Sequence, residues 1–467
     1  MFQPSVYAAR RAALRAGLAR RGVESGLVVV IGHGESPRTY RDSAYAFRQD
    51  SSFLYFAGLD LPDLALSIDL ATGAETLYGD DVSMDDIVWT GALPLVGELA
   101  AQAGIARAEP RGSLAKAAAA AGGKLLHLPT YRAETRAELA ELAGIPLAAV
   151  DAGASVPLIR AAIELREVKE AAEVEELEAA VALSVAMHRE ALGTTRAGML
   201  ESQVAARITA VALSAGGCPS FLPIATTRGA ILHNRLQRQS LAEGGLFLLD
   251  AGAETASCYC GDLTTTFPIS GRFDGRQREI YEIVLAMGAA ASPLVRPGRP
   301  FLEVHLAAAR AGIEGLKALG LMRGSVDGAL AAGAEALFFP HGVGHQIGLD
   351  VHDMESYGES WVGYDGAPRD GRFGRKSLRL AKPLKAGMVH TIEPGLYFIP
   401  ELIAKWKAER RFEEFVDYAA LAPYMAVGGI RNEENWLVTA GGGRRLGPDF
   451  DKGVAAVEAL RAGAVRA

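Results

Sequence analysis

Three of the nine histidines fall within twelve residues, in Phe338-Phe-Pro-His341-Gly-Val-Gly-His345-Gln-Ile-Gly-Leu-Asp350-Val-His352-Asp353. Glycine permits conformations and close backbone approaches that other residues resist. His341 and His345 are four apart, as in a helical zinc pair, but Gly-Val-Gly separates them. No Glu follows His341 to act as a base, and two glycines disfavour a stable helix. A single histidine in a partly apolar run is more often a packed core residue than a ligand. Three together point to a site that acts from a strand or turn, with partners elsewhere in the chain.

At 467 residues, the chain exceeds the size at which one hydrophobic core usually keeps growing, so two domains are expected. Apolar residues at 49% fit a well-packed globular protein. The net charge of −7 comes from well-mixed acidic and basic residues, which leaves no footprint for nucleic acid or an anionic membrane. Three cysteines, Cys218, Cys258 and Cys260, make no disulfide framework and fit a reducing compartment. No apolar segment precedes a cleavage site near Met1, and no uncharged run is long enough to span a bilayer. A cytoplasmic location is the expectation.

The first part reads as α/β. A helix is expected over residues 6–22, then short strands at Leu27-Val-Val-Val-Ile31, Ala65-Leu-Ser-Ile-Asp69 and Glu75-Thr-Leu-Tyr78. Helices and short strands alternate over residues 96–143. The junction falls near residue 160, dividing the chain into domains of residues 1–160 and 161–467. Beyond it, helices are expected over residues 167–192, 201–213, 276–290 and 301–316, with a terminal helix over 451–466. Strand-like runs occupy residues 221–226, 230–233, 246–250, 388–393 and 429–433.

Several carboxylates sit at or near the ends of these runs. Asp250 closes Leu246-Phe-Leu-Leu, Asp262 precedes Leu-Thr-Thr-Thr, Glu393 closes Val389-His-Thr-Ile, and Glu433 follows Gly-Ile-Arg431-Asn. Singly, such a residue is most often a turn former facing solvent. Four converging on a histidine would be unstable unless a cation held them. One imidazole with four carboxylates is a hard, oxygen-rich set suited to Mn²⁺ or another first-row divalent ion and ill-suited to structural zinc. Two ions sharing bridging carboxylates would use all four and activate a water.

Five ordered motifs carry a resemblance: Asp250-Ala-Gly-Ala-Glu254, Gly261-Asp262-Leu-Thr-Thr-Thr-Phe-Pro268, His341-Gly-Val-Gly-His345-Gln-Ile-Gly-Leu-Asp-Val-His352-Asp, Thr391-Ile-Glu393-Pro-Gly-Leu-Tyr397 and Gly429-Ile-Arg431-Asn-Glu433-Glu. The chain resembles the pita-bread metallopeptidases, in their prolidase and aminopeptidase P branch. Tyr45-Ala-Phe-Arg48-Gln-Asp50-Ser-Ser-Phe-Leu-Tyr55-Phe-Ala-Gly58 looks like the added N-terminal domain of that branch. The implied fold is an N-terminal α/β domain followed by a pita-bread (creatinase/methionine-aminopeptidase-like) α+β catalytic domain. The implied metal ligands are Asp250, Asp262, His345, Glu393 and Glu433, with Asp262 and Glu433 bridging two divalent ions, Mn²⁺ foremost and Zn²⁺ or Co²⁺ as alternatives. Glu393 would also shuttle a proton. His352 and His233 match substrate-facing histidines, His341 a supporting one, and Arg431 an orienting residue beside the last ligand.

The activity implied is hydrolysis of the bond before proline in small peptides, by a homodimer. Leu378-Arg379-Leu-Ala-Lys-Pro-Leu-Lys385-Ala-Gly-Met388-Val resembles the prolidase segment whose arginine meets a dipeptide's carboxylate. That favours a dipeptidase, with Arg379 binding substrate. The motif around Arg48-Gln-Asp50 is closer to aminopeptidase P, the alternative. A metal-free peptide-binding member is the competing class. Three departures bear on the site. Asp250 and Asp262 stand twelve apart where the family usually has eleven, so a bulge or enlarged turn must absorb one residue. Otherwise alternation turns one carboxylate away. His390 and Asn432 replace aliphatic residues.

Overall fold

An apolar run without alternation makes a strand buried on both faces, and all five residues of β1 (Leu27–Ile31) are buried. β1 pairs antiparallel with β2 (Ala65–Asp69) and parallel with β5 (Leu125–His127). With β3 (Glu75–Tyr78) and β4 (Arg107–Glu109), they form a five-stranded sheet in the order β4-β3-β2-β1-β5. The computed structural model describes residues 1–40 and 42–466. They form two units, Met1–Arg166 with Met354–Trp361, and Glu167–Asp353 with Val362–Ala467.

In the first unit, the aromatic run of residues 45–58 becomes a fully buried helix, Ser51–Ala57. Asp50 caps it by accepting from the Phe53 N–H at 2.9 Å. Gly58 ends it at φ 69°, where a Cβ would lie 2.0 Å from the Tyr7 ring, so both conformation and space require glycine. Met354–Trp361 joins this unit through the Tyr357 hydroxyl, which lies 2.7 Å from Ser52 Oγ and accepts from Arg166 at 3.2 Å.

In the second unit, the helix Ala171–Thr194 packs against the helix Glu201–Ser214, and Gly275–Ala291 against Phe301–Ala318. The first begins later than the expected residue 167. Glu167 and Lys169 are instead committed to buried ion pairs, Glu167 with Lys382 at 2.5 Å and Lys169 with Asp353 at 2.6 Å. The strands are short: β6 (Cys218–Pro219), β7 (Ile224–Thr226), β8 (Leu246–Ala251), β9 (Ala253–Glu254), β10 (Leu263–Pro268), β11 (Val389–Ile392), β12 (Gly395–Tyr397), β13 (Gly429–Arg431), β14 (Glu434–Thr439) and β15 (Gly442–Arg445). They form sheets in the orders β10-β8-β7 and β11-β14-β15, and pairs β12-β13 and β6-β9. Residues 230–233, expected as a strand, are irregular. The backbone at the ends of their loop bonds to the side chain of Glu201 instead of to a neighbouring strand. Among the described residues, no helix is long and apolar enough to cross a membrane.

Candidate metal centre

The β8–β10 hairpin carries the two aspartates. Its register runs without a slip from Leu246↔Pro268 through Asp250↔Thr264 to the bridge Glu254↔Cys260. The additional residue is therefore taken up in the turn, where Cys258 has φ 65° and its N–H donates to Thr255 O. With no bulge between them, Asp250 and Asp262 keep the same face.

The histidine stretch lies along β11. The Thr391 N–H donates to His345 O at 2.9 Å, and the Glu393 N–H to Val343 O at 2.8 Å. Between those bonds, Gly344 approaches so closely that a Cβ would lie 2.1 Å from Thr391 O. The pairing sets His345 beside the end of β11, where Glu393 follows. Glu433 follows β13, and its N–H donates to Thr264 O at 3.0 Å, which ties it to the strand carrying Asp262.

Asp262, His345 and Glu433 each present a ligand atom within 4.8 Å of the others. His345 Nε2 lies 3.4 Å from Asp262 Oδ2 and 3.8 Å from Glu393 Oε1. Its Nδ1 lies 3.0 Å from Gln346 O, so Nδ1 carries the proton and Nε2 faces the carboxylates with its lone pair. Asp262 Oδ1 and Glu433 Oε1 are buried without a hydrogen-bond partner. Desolvation, then the charges of Asp250 and Glu393, hold Asp262 well above the usual carboxylate range. Glu433 is raised by desolvation and by Asp262 and Asp250, and Glu393 by desolvation and by Glu433. Orphaned, mutually repelling carboxylate oxygens beside an imidazole lone pair are what a divalent cation would satisfy, so these residues fit metal ligands.

A hydrogen-bonded chain backs the site. Arg431 donates to Asp250 Oδ2 at 2.5 Å, to the Tyr397 hydroxyl at 2.8 Å and to Thr264 Oγ1 at 3.1 Å. The Tyr397 hydroxyl lies 2.9 Å from His341 Nε2, while His341 Nδ1 faces Gly342 O at 2.8 Å. Tyr397 thus donates to a neutral His341, whose pKa burial and then Arg431 depress to about 3. His341 Nδ1 is also 3.7 Å from Glu393 Oε2. The His352 ring packs edge-on against His345, with centroids 4.4 Å apart.

His233 is exposed, in the loop after β7; partial desolvation and the charge of Arg431 lower its pKa, while Asp250 opposes them. Arg379 is half-buried, and its charge acts on Glu393, the last of several influences there. His390 and Asn432, the departures in sequence, are buried. His390 Nδ1 faces Thr391 O at 2.9 Å, with its ring edge-on to Phe301 at 4.8 Å. Asn432 Oδ1 accepts from Thr266 N at 3.4 Å.

Sequence reading missed several supports. Thr264 donates to Glu433 Oε2 at 2.7 Å, and the Asn435 amide bonds the backbone on both sides of Asp262. The buried Lys452 ammonium donates to Thr264 O at 3.0 Å and Glu433 O at 2.5 Å. Only Thr264 had a signal, its two-residue spacing from Asp262 along a strand.

Comparison with known proteins bears on this arrangement. Residues 175–440 match the model of metallopeptidase family M24, and residues 7–124 that of the aminopeptidase P N-terminal domain. A probable Xaa-Pro aminopeptidase PEPP of Ajellomyces dermatitidis is 32% identical over 438 residues, 88% of this chain and 90% of that one. That of Paracoccidioides lutzii is 31% identical over 454 residues, 94% and 93% of the two chains. Among solved structures, the Pseudomonas aeruginosa aminopeptidase PepP superposes with a TM-score of 0.82 at 28% identity, over 99% of both chains. Escherichia coli aminopeptidase P with the inhibitor Pro-Leu superposes at 0.80 and 27%, over 100% of both. Fold and site define a metal-dependent peptidase of mixed α/β, pita-bread architecture with an added N-terminal domain. The chain belongs to metallopeptidase family M24.

Proposed function

We propose that the chain is an Xaa-Pro aminopeptidase, releasing the N-terminal residue from peptides with proline second. The observation that carries this reading is full-length likeness: the relatives named Xaa-Pro aminopeptidase and aminopeptidase P match both parts of the chain. The dipeptidase expected from the segment around Arg379 has no comparable support, and the weight moves to the aminopeptidase. Proline provides a rigid ring and an amide nitrogen without hydrogen, so a pocket can select a bond that most peptidases reject.

In this reading, Asp250, Asp262, His345, Glu393 and Glu433 hold two divalent cations, for which the hard donor set favours Mn²⁺. Bound there, the ions supply Lewis acidity to a water and to the scissile carbonyl. The remaining steps belong to side chains. Glu393, 3.8 Å from His345 Nε2, takes a proton from the attacking water and returns it to the leaving proline nitrogen. His352, beside His345, donates to the carbonyl oxygen as negative charge develops there. His233 borders the substrate from its exposed loop, and the chain His341–Tyr397–Arg431 holds Asp250 in orientation. The family resemblance also carries a homodimer into the proposal, and the cysteine usage a cytoplasmic location.

The test compares Xaa-Pro dipeptides with Xaa-Pro-Yaa tripeptides using Mn²⁺-loaded protein. Higher kcat/KM on tripeptides is expected. Cleavage confined to dipeptides would restore the prolidase reading and give Arg379 the substrate carboxylate.

A further inference from the structure

The loop carrying His233 has no secondary structure from residue 227 to 239, yet both ends meet on one side chain. Glu201, the first residue of its helix, is fully buried. Its Oε1 accepts from Thr227 N at 2.7 Å, Thr227 Oγ1 at 3.0 Å and Thr226 Oγ1 at 3.1 Å. Its Oε2 accepts from Gln239 N at 3.0 Å. One carboxylate thus closes the loop with four hydrogen bonds, each strengthened by its charge.

The arrangement reaches the site. A hydroxyl has one proton and two lone pairs. Thr226 gives its proton to Glu201, so both lone pairs are free to accept, from Arg228 N at 2.9 Å and from the Asn234 amide at 2.8 Å. Asn234 is buried and adjoins His233. On its other side the loop abuts β13, where a Cβ on Gly229 would lie 2.4 Å from Gly429 O, two residues before Arg431. The loop is therefore fixed between Glu201 and the backbone leading to the candidate ligands.

We infer that Glu201 is a positioning residue for hydrolysis: through Thr226 and Asn234 it sets the place of His233 against the substrate. This rests on the proposed aminopeptidase reading, in which His233 faces the peptide. In Glu201→Gln, the amide cannot accept on both sides. If its oxygen keeps the threonines, its NH₂ meets the Gln239 N–H, and one end of the loop is released. Displacement of a substrate-facing group by about 1 Å can cost on the order of a hundredfold in rate.

The experiment is a double-mutant cycle in the Mn²⁺-loaded full chain, measuring kcat and KM on an Xaa-Pro-Yaa tripeptide. Glu201→Gln is expected to lower kcat/KM by about 10- to 100-fold. In a His233→Ala background, the same substitution should change it less than about threefold, since the group it positions is gone. The two-ion stoichiometry from Mn²⁺ titration should be unchanged. Thr226→Val, which keeps Glu201 bonded to Thr227 and Gln239, should lower kcat/KM with the same dependence on His233, and it serves where Glu201→Gln folds poorly. Wild-type kcat/KM in both variants, or equal losses with and without His233, would overturn the inference. Failure of the wild type to cleave the tripeptide would instead refute the aminopeptidase reading, and is read separately.

Discussion

Gly344 gives the most direct test of how the histidine stretch is held. A Cβ there would lie 2.1 Å from Thr391 O, 2.8 Å from Thr391 C and 3.0 Å from Thr391 Oγ1, whereas real Cβ contacts essentially never fall below 3.0 Å. Gly344→Ala must therefore part the stretch from β11 by about 1 Å. The hydrogen bonds on either side, Thr391 N to His345 O at 2.9 Å and Glu393 N to Val343 O at 2.8 Å, would lengthen beyond useful range. Two such bonds are worth about 1 kcal/mol each, and overpacking adds about 1–3 kcal/mol, for a destabilisation of about 3–5 kcal/mol. The same shift moves His345 against Asp262, so Mn²⁺ affinity should fall at least tenfold. Gly193→Ala is the control: it lies in the helix Ala171–Thr194 with nothing within 4 Å of the added Cβ, and should be neutral or slightly stabilising. Denaturant unfolding of metal-free protein and Mn²⁺ titration read the two effects. A Gly344→Ala protein within about 1 kcal/mol of wild type, with unaltered metal affinity, would refute the close approach.

Asp262→Asn should lose an ion and hydrolysis together, measured as metal content after gel filtration and turnover on the tripeptide. Chelation should abolish hydrolysis and lower the melting temperature. Cations bound at 1,000 times Kd stabilise by about 4 kcal/mol, and their removal leaves Asp262, Glu393 and Glu433 to repel one another. In metal-free protein, His188 and His305, whose pKa values burial lowers to about 3, should each contribute a loss of stability in acid, against the opposite contribution of the raised carboxyls of Asp262, Glu393 and Glu433. An unfolded histidine binds a proton below about pH 6.5, and these do so only near 3. The unfolded state therefore holds the extra protons in that window, and stability falls as pH drops from 6.5 by at most about 1.4 kcal/mol per unit for each histidine. Urea midpoints of wild type and His305→Gln at pH 7, 6 and 5 isolate the contribution of His305, since the carboxylates are common to both: the stability difference between the two proteins should shift in favour of His305→Gln as pH falls.

Much of the local structure was legible because it depends on residues close in sequence. β1, β2 and β3 coincide with the runs read as strands, and the helices Gly275–Ala291 and Phe301–Ala318 fall within two residues of expectation. The histidine stretch contains no helix, as Gly-Val-Gly implies. Residues 230–233 misled because an apolar run reads as a strand wherever it occurs, and Glu201, which takes up the loop's donors, lies 25 to 38 residues from its partners. The late start of the helix Ala171–Thr194 has the same origin, since Asp353 is 184 residues from Lys169 and Lys382 is 215 from Glu167.

By itself, then, the sequence determined which chemical groups are available and what backbone carries them: carboxylates at strand ends, imidazoles on a glycine-rich turn, and motifs that name a family. Tertiary structure alone decided that the turn around Cys258, and not a bulge, absorbs the residue between Asp250 and Asp262. It also decided that Gln346 O turns the His345 Nε2 lone pair toward Asp262, and that Arg431, Tyr397 and His341 form one chain behind the carboxylates. The physical reason is that propensity and alternation act over a few residues. Desolvation, charge repulsion and hydrogen-bond partnership depend on which distant segments the fold brings within a few ångströms.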